Sequence, residues 1–151
     1  MDKFGLVVIG AHSGTWLTAL FEEYKEQNIL LVEPVPYNIQ LLRENTSLYS
    51  NIKIETSAVS GKVGVQKFYF VKPESVKILG KHWASGIGSF NKQHILNHQN
   101  KRFKVKDSDI EETEIEYLTF QDLIKKYSIS SINMLQIDVE GAEFEILSSI
   151  D

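Results

Sequence analysis

Residues 7–16, VVIGAHSGTW, restrict the folding of this chain more than any other stretch. Leu6, Val7, Val8 and Ile9 are apolar at every position, a pattern that belongs in a parallel sheet covered on both faces. The run ends at Gly10, passes through the small residues Ala11, Ser13 and Gly14, and enters an amphipathic helical pattern near Thr15. Small side chains let a ligand approach the backbone, and the amides at a helix start have no partner inside the helix. The stretch is therefore either a ligand-binding turn or the ordinary tight strand-to-helix connection of an α/β protein.

A second apolar run, residues 29–32, ends in Glu33. About twenty residues past its glycine turn, a doubly wound fold carries the acid that accepts hydrogen bonds from ribose hydroxyls. A dinucleotide fingerprint needs a third glycine so that pyrophosphate can sit on the helix start. Gly10 and Gly14 have only Ala11, His12 and Ser13 between them and no third glycine, which favours a ligand without phosphates over a nicotinamide cofactor.

With 151 residues and 42% hydrophobic content, the chain is expected to form one domain over 1–151 with a full core. A net charge of −4 offers no general attraction to nucleic acid. Lys101, Arg102, Lys104 and Lys106 run directly into the acidic stretch 107–116, which reads as a solvated charged loop. Cysteine is absent, so disulfides and thiolate-bound metals are excluded. The expected setting is cytoplasmic, with neither membrane nor nucleic acid as partner, because no leader pattern and no membrane-length apolar run is present.

Helical spacing puts Leu17, Leu20, Phe21 and Tyr24 on one buried face, with Asn28 as the stop. Residues 37–45 read as a second helix turning Ile39, Leu41 and Leu42 inward, and the prolines at 34 and 36 hold Glu33 at a rigid corner. Residues 52–56 form a third strand leading to Ser57 and Ala58, candidates to line a flat ring such as adenine. Residues 65–71 alternate as a strand with Phe68 and Phe70 on one face, expected as a hairpin or an edge extension. The pattern weakens over 73–109. There residues 81–90 are assigned to substrate binding, and a helix over 92–97 carries His94 and His98. These two are read as surface histidines, because no third metal ligand accompanies them.

Residues 114–118 alternate as a strand, and Thr119 is placed to cap a helix over 120–127. The last strong pattern is INMLQIDVEGAEFEIL. Residues 132–137 read as a buried strand ending at Asp138, then a glycine turn and a helix with Phe144, Ile146 and Leu147 as apolar positions. Asp138 and Glu140 are thereby expected at the same crevice as Gly10 and Glu33.

The blocks VVIGAHSGTW, ILLVEPVPYNIQLLREN, TSAVSGKVGVQKFYF, ASGIGSF, YLTFQDLI and LQIDVEGAEFEIL resemble, in order and spacing, those of the FkbM family of S-adenosylmethionine-dependent methyltransferases. The likeness covers nearly the whole chain, and its last block is the most specific. It implies a Rossmann-like methyltransferase fold, a mainly parallel twisted sheet with helices on both faces. It also implies O-methylation of hydroxyls on sugars, glycans or polyketide-like small molecules.

By position, the resemblance places Gly10, Ala11, His12 and Gly14 in the cofactor turn, facing the methionine part of S-adenosyl-L-methionine. Glu33 takes the ribose position, Ser57 and Ala58 the adenine side, and Asp138 with Glu140 the methyl-transfer crevice, where Asp138 also contacts cofactor. Two departures stand out. Family members commonly carry an acid two residues before the first glycine, and a turn like D-V-G-A-N; this chain has Val8 and His12 there. The family also continues with further strands beyond the last block. Ending after the fourth core strand is expected to mark a truncated chain, or a homodimer in which a second copy covers the edge.

Methyl transfer from a sulfonium is an in-line displacement, favoured by holding the acceptor oxygen opposite the sulfur. An alcohol must also lose a proton. Asp138, Glu140 and His12 are the titratable groups that motif order places nearest, and Asp138 or Glu140 is the expected base. The alternative is a non-catalytic adenosine-ligand-binding module that has lost turnover along with the acid at position 8.

Overall fold

The computed structural model describes residues 1–80, 84, 86–100, 103–139 and 141–150. In chain order its elements are β1 (Asp2–Ile9), α1 (Thr18–Glu23), β2 (Asn28–Val32), α2 (Pro36–Asn45), β3 (Ile52–Glu55), β4 (Ala58–Val59) and β5 (Gly64–Val71). There follow α3 (Pro73–Leu79), β6 (Gly88–Ser89), α4 (Lys92–Leu96), β7 (Gln99–Asn100) and β8 (Phe103–Lys104). The last elements are β9 (Ile110–Leu118), α5 (Phe120–Lys126), β10 (Ile129–Ile137) and α6 (Glu143–Ser148).

The centre is a four-stranded sheet in the order β10-β1-β2-β3, parallel throughout. Alternation along β1 explains why its sequence is apolar at every position. Val7 and Ile9 pack with Leu30 and Val32 beneath Phe120, Leu123 and Ile146 of α5 and α6. Leu6 and Val8 face the other way, onto Leu17, Phe21, Leu31 and Leu42 of the α1 and α2 side. Both faces are thus covered, as an unbroken apolar strand requires. A register shift between Phe4 and Leu6 in the β1–β2 pairing lets Phe4 join the Val7 side.

β10 differs from the sequence expectation of a strand buried on both faces. Among the described residues it pairs only with β1, and Ile132, Met134, Leu135 and Ile137 are half-buried. A second sheet, order β4-β9-β5-β6, stands beside the first. Here β5 is neither an extension of the parallel sheet nor half of a local hairpin. It runs antiparallel to β9 from Gly64 opposite Tyr117 to Val71 opposite Ile110, and antiparallel to β6 on its other side.

Local details correct several positions. Asn28 is the first residue of β2 rather than a helix stop, and its side-chain amide donates to the Lys3 carbonyl at 3.0 Å. In α2, Leu42 and Asn38 are buried while Leu41 is 44% exposed. In α6 only Ile146 turns inward; Phe144 is 84% exposed. α5 starts as expected, with the Asp122 amide donating to Thr119 Oγ1 at 3.1 Å and the Thr119 amide donating to Asp122 Oδ2 at 3.4 Å. Among the described residues no helix is long and apolar enough to cross a membrane.

Candidate functional site

Strands β1, β2 and β10 end at one cavity of about 240 Å³. Gly10, Glu33 and Asp138 stand at those three strand ends, and Ala58, Val59 and Phe68 of the second sheet form an apolar wall. In an open parallel sheet, ligands bind at the carboxyl ends of strands, so the topology and the cavity coincide.

Glu33 is the most constrained of these groups. It is 5% exposed at the end of β2. Its Oε2 accepts the His12 amide at 2.9 Å, and its Oε1 accepts the Val35 amide at 2.9 Å and Asn38 Nδ2 at 3.3 Å. The carboxylate therefore ties the turn after β1 to the first turn of α2. Burial pushes its carboxyl up to about 6, against the opposing pull of the Val35, His12 and Asn38 hydrogen bonds. A carboxylate offers roughly four acceptor positions, so about one remains after these three bonds on a group that lines the cavity.

The glycine turn is held on both sides. The amides of Gly10 and Ala11 both donate to the Val32 carbonyl at 2.9 Å. Gly10 has φ +91°, and a Cβ there would sit 2.0 Å from the Asp138 carbonyl oxygen. Its lack of a side chain is required by the approach of the β10 end, before any ligand is considered. Gly14, at φ +76°, is pressed against Leu42 of α2, where a Cβ would meet Cδ1 at 2.6 Å. Ala11 is fully buried in the α1/α2 core. His12 takes a left-handed φ of 56°, its amide fixed by Glu33.

Of the sequence-derived candidates, Gly10, Glu33, Ala58 and Asp138 line the cavity, whereas Ala11, His12, Gly14 and Ser57 do not. Ser57 is buried and donates its amide to Glu55 Oε1 at 2.9 Å. Glu55 in turn faces α5, accepting from Tyr127 at 3.1 Å and from Lys126 Nζ at 2.7 Å. Burial raises the Glu55 carboxyl, but the Lys126 and Ser57 bonds outweigh it and hold the group below its ordinary range. This cluster anchors β3 to α5 and contributes nothing to the cavity wall. Glu140 lies outside the described residues, as do Lys81, His82, Trp83 and Ser85 of the segment assigned to substrate. From that segment Gly86, Gly88, Ser89 and Phe90 line the cavity.

Sequence reasoning did not place Glu145 and His94 at the site, yet both line the cavity. His94 stands on α4, whose position follows from packing on the second sheet, a relation that periodicity does not carry. Phe90 joins the wall edge-on, 5.2 Å from Phe68 and 5.0 Å from Tyr117 between ring centroids. Among the described residues no three His, Asp or Glu side chains converge as a metal-ligand set.

The site thus combines a buried carboxylate with spare acceptor capacity, an apolar and aromatic wall able to take a flat ring, and the acids Asp138 and Glu145 at the rim. The sequence matches the family model described as the methyltransferase FkbM domain over residues 9–151. Neither the curated proteins nor the solved structures contain a match to it. The matched span takes in Gly10, Glu33 and Asp138 together, and the chain belongs to the FkbM methyltransferase family.

Proposed function

We propose that the cavity binds S-adenosylmethionine and that the chain methylates a hydroxyl of a sugar, glycan or polyketide-like small molecule. The observation that carries this reading is Glu33, a carboxylate that is buried at the end of β2 and still lines the cavity. Its remaining acceptor position suits a ribose hydroxyl, and Ala58, Val59 and Phe68 suit the adenine ring. Val8, where the family commonly has an acid, is fully buried on the α1/α2 side. No charge can reach the cavity from that position, so the cationic parts of the cofactor are met by Asp138 and Glu145.

The cofactor supplies an activated methyl group on a sulfonium. The chain's own residues bind, orient and enclose. Glu33 fixes the glycine turn against β2 and thereby sets the position of the ribose carboxylate itself. Phe68 and Phe90 exclude water from the apolar end. Asp138 places negative charge at the end of β10, where methyl transfer and deprotonation of the acceptor take place.

Incubation of the purified chain with methyl-labelled S-adenosylmethionine and a panel of hydroxylated sugars, glycans and polyketides tests the reading. Label recovered as a methyl ether supports it. Cofactor binding with no transfer to any acceptor would instead mark a non-catalytic adenosine-binding module.

A further inference from the structure

We propose that His94 takes the proton from the acceptor hydroxyl. The inference rests on reading the cavity as the methyl-transfer site and deepens it by naming the base. His94 lines the same cavity as Asp138, and its ring lies against the turn that follows β10. A Cβ built on Gly141 would stand 3.4 Å from His94 Cε1 and 3.6 Å from Nδ1. With Gly141 at φ +94°, backbone and imidazole meet there with no intervening side chain.

The helix that carries His94 is firmly set. The Asn91 side chain accepts the Gln93 amide at 3.0 Å, the Asn91 amide donates to Ser89 Oγ at 3.1 Å, and Ile95 is fully buried beside Val71 and Ile87. His98, just past the end of the same helix, lies 5.2 Å from the ring between centroids; the other titratable groups facing the helix or the cavity are Asp138, Glu145 and Glu33 in the cavity wall and Tyr69 of β5 in the core that holds Ile95.

Chemistry favours the imidazole over the carboxylates. Proton transfer from an alcohol is most effective with a base that titrates near the working pH, which histidine as a residue type does and a solvated carboxylate does not. Glu33 is held by His12, Val35 and Asn38, and its remaining acceptor position is taken by the ribose in the reading above. In the step, the acceptor O–H bond breaks and an N–H bond forms on His94. The oxygen pair makes the new O–C bond, the pair of the broken C–S bond stays on sulfur, and the imidazolium returns its proton to water.

The test is histidine NMR on the intact, isotopically labelled chain, titrated in pH with saturating S-adenosylhomocysteine and then S-adenosylmethionine. His94→Gln identifies the resonance; if that variant fails to fold, His12→Gln, His82→Gln and His98→Gln assign the other three histidines and leave His94 by elimination. The two ligands differ at the transferring end by one positive charge. A unit charge within about 6 Å lowers an imidazole midpoint by about half a pH unit even at the dielectric constant of water. The expected result is a His94 midpoint at least that much lower with the sulfonium than with the thioether, and a smaller change at His98. Binding of both ligands with the same His94 midpoint would overturn the assignment while leaving the cofactor reading intact. Binding of neither would remove the cofactor reading, and this inference with it.

Discussion

Replacing Glu33 with glutamine tests whether the carboxylate is buried and held as described. A native value of about 6 against an ordinary 4.5 means that the folded chain holds this proton more tightly than the unfolded chain. The stabilisation is fully present below 4.5 and is lost as the pH rises through about 6. At about 1.4 kcal/mol per pH unit the full effect is about 2 kcal/mol. Of this, about 1.3 kcal/mol falls between pH 5.0 and 7.5. Glutamine carries no charge at either pH. Its NH₂ must also face one of the N–H donors from His12 or Val35, a loss of roughly 1–3 kcal/mol that does not vary with pH. Groups such as Glu55 and Asp122 titrate alike in both proteins and cancel. Urea unfolding followed by circular dichroism at the two pH values should show the wild type losing about 1.3 kcal/mol relative to Glu33→Gln on going from pH 5.0 to 7.5. A gap constant within about 0.5 kcal/mol would refute the burial argument.

Four further substitutions follow from the packing. Gly10→Ala forces a side chain into the Asp138 carbonyl at a φ of +91°, and should destabilise the chain by roughly 2–4 kcal/mol in the same unfolding assay. Ile146→Ala should cost roughly 2–4 kcal/mol and Phe144→Ala less than about 0.5 kcal/mol, since the first is fully buried and the second 84% exposed. Thr119→Ala removes the acceptor of the Asp122 amide at the start of α5 and should lower stability by about 1 kcal/mol.

Much of the central sheet was legible because its information is local. The apolar runs of β1 and β2, the capping box at Thr119 and the glycine turns each depend on neighbouring residues. Helix faces were read less well. Leu41 and Phe144 sit one or two positions from the true inward residues, Leu42 and Ile146, and short helices give too few turns for periodicity to decide between them. The second sheet was out of reach. β5 finds its partner β9 across the intervening α3, β6 and α4, and nothing in the strand itself names that partner.

The site divides in the same way. Glu33 and Asp138 could be placed from their positions at strand ends. The hold of Glu33 on the His12 amide depends on the pairing of β1 with β2, and the arrival of His94 over Gly141 on how the two sheets meet. Ser57 and Ala58 show how fine the division is. Adjacent in sequence, they point apart, Ala58 into the cavity wall and Ser57 toward Glu55.

The central claim, that this cavity is a cofactor site, is tested most directly by isothermal titration of the folded wild-type chain with S-adenosylhomocysteine, beside Glu33→Gln. Saturable binding at one site per chain, weakened tenfold or more by the substitution, corresponds to at least about 1.4 kcal/mol from the ribose carboxylate and is the predicted result. A folded wild type that takes up no ligand, or a variant that binds as tightly as the wild type, would contradict it.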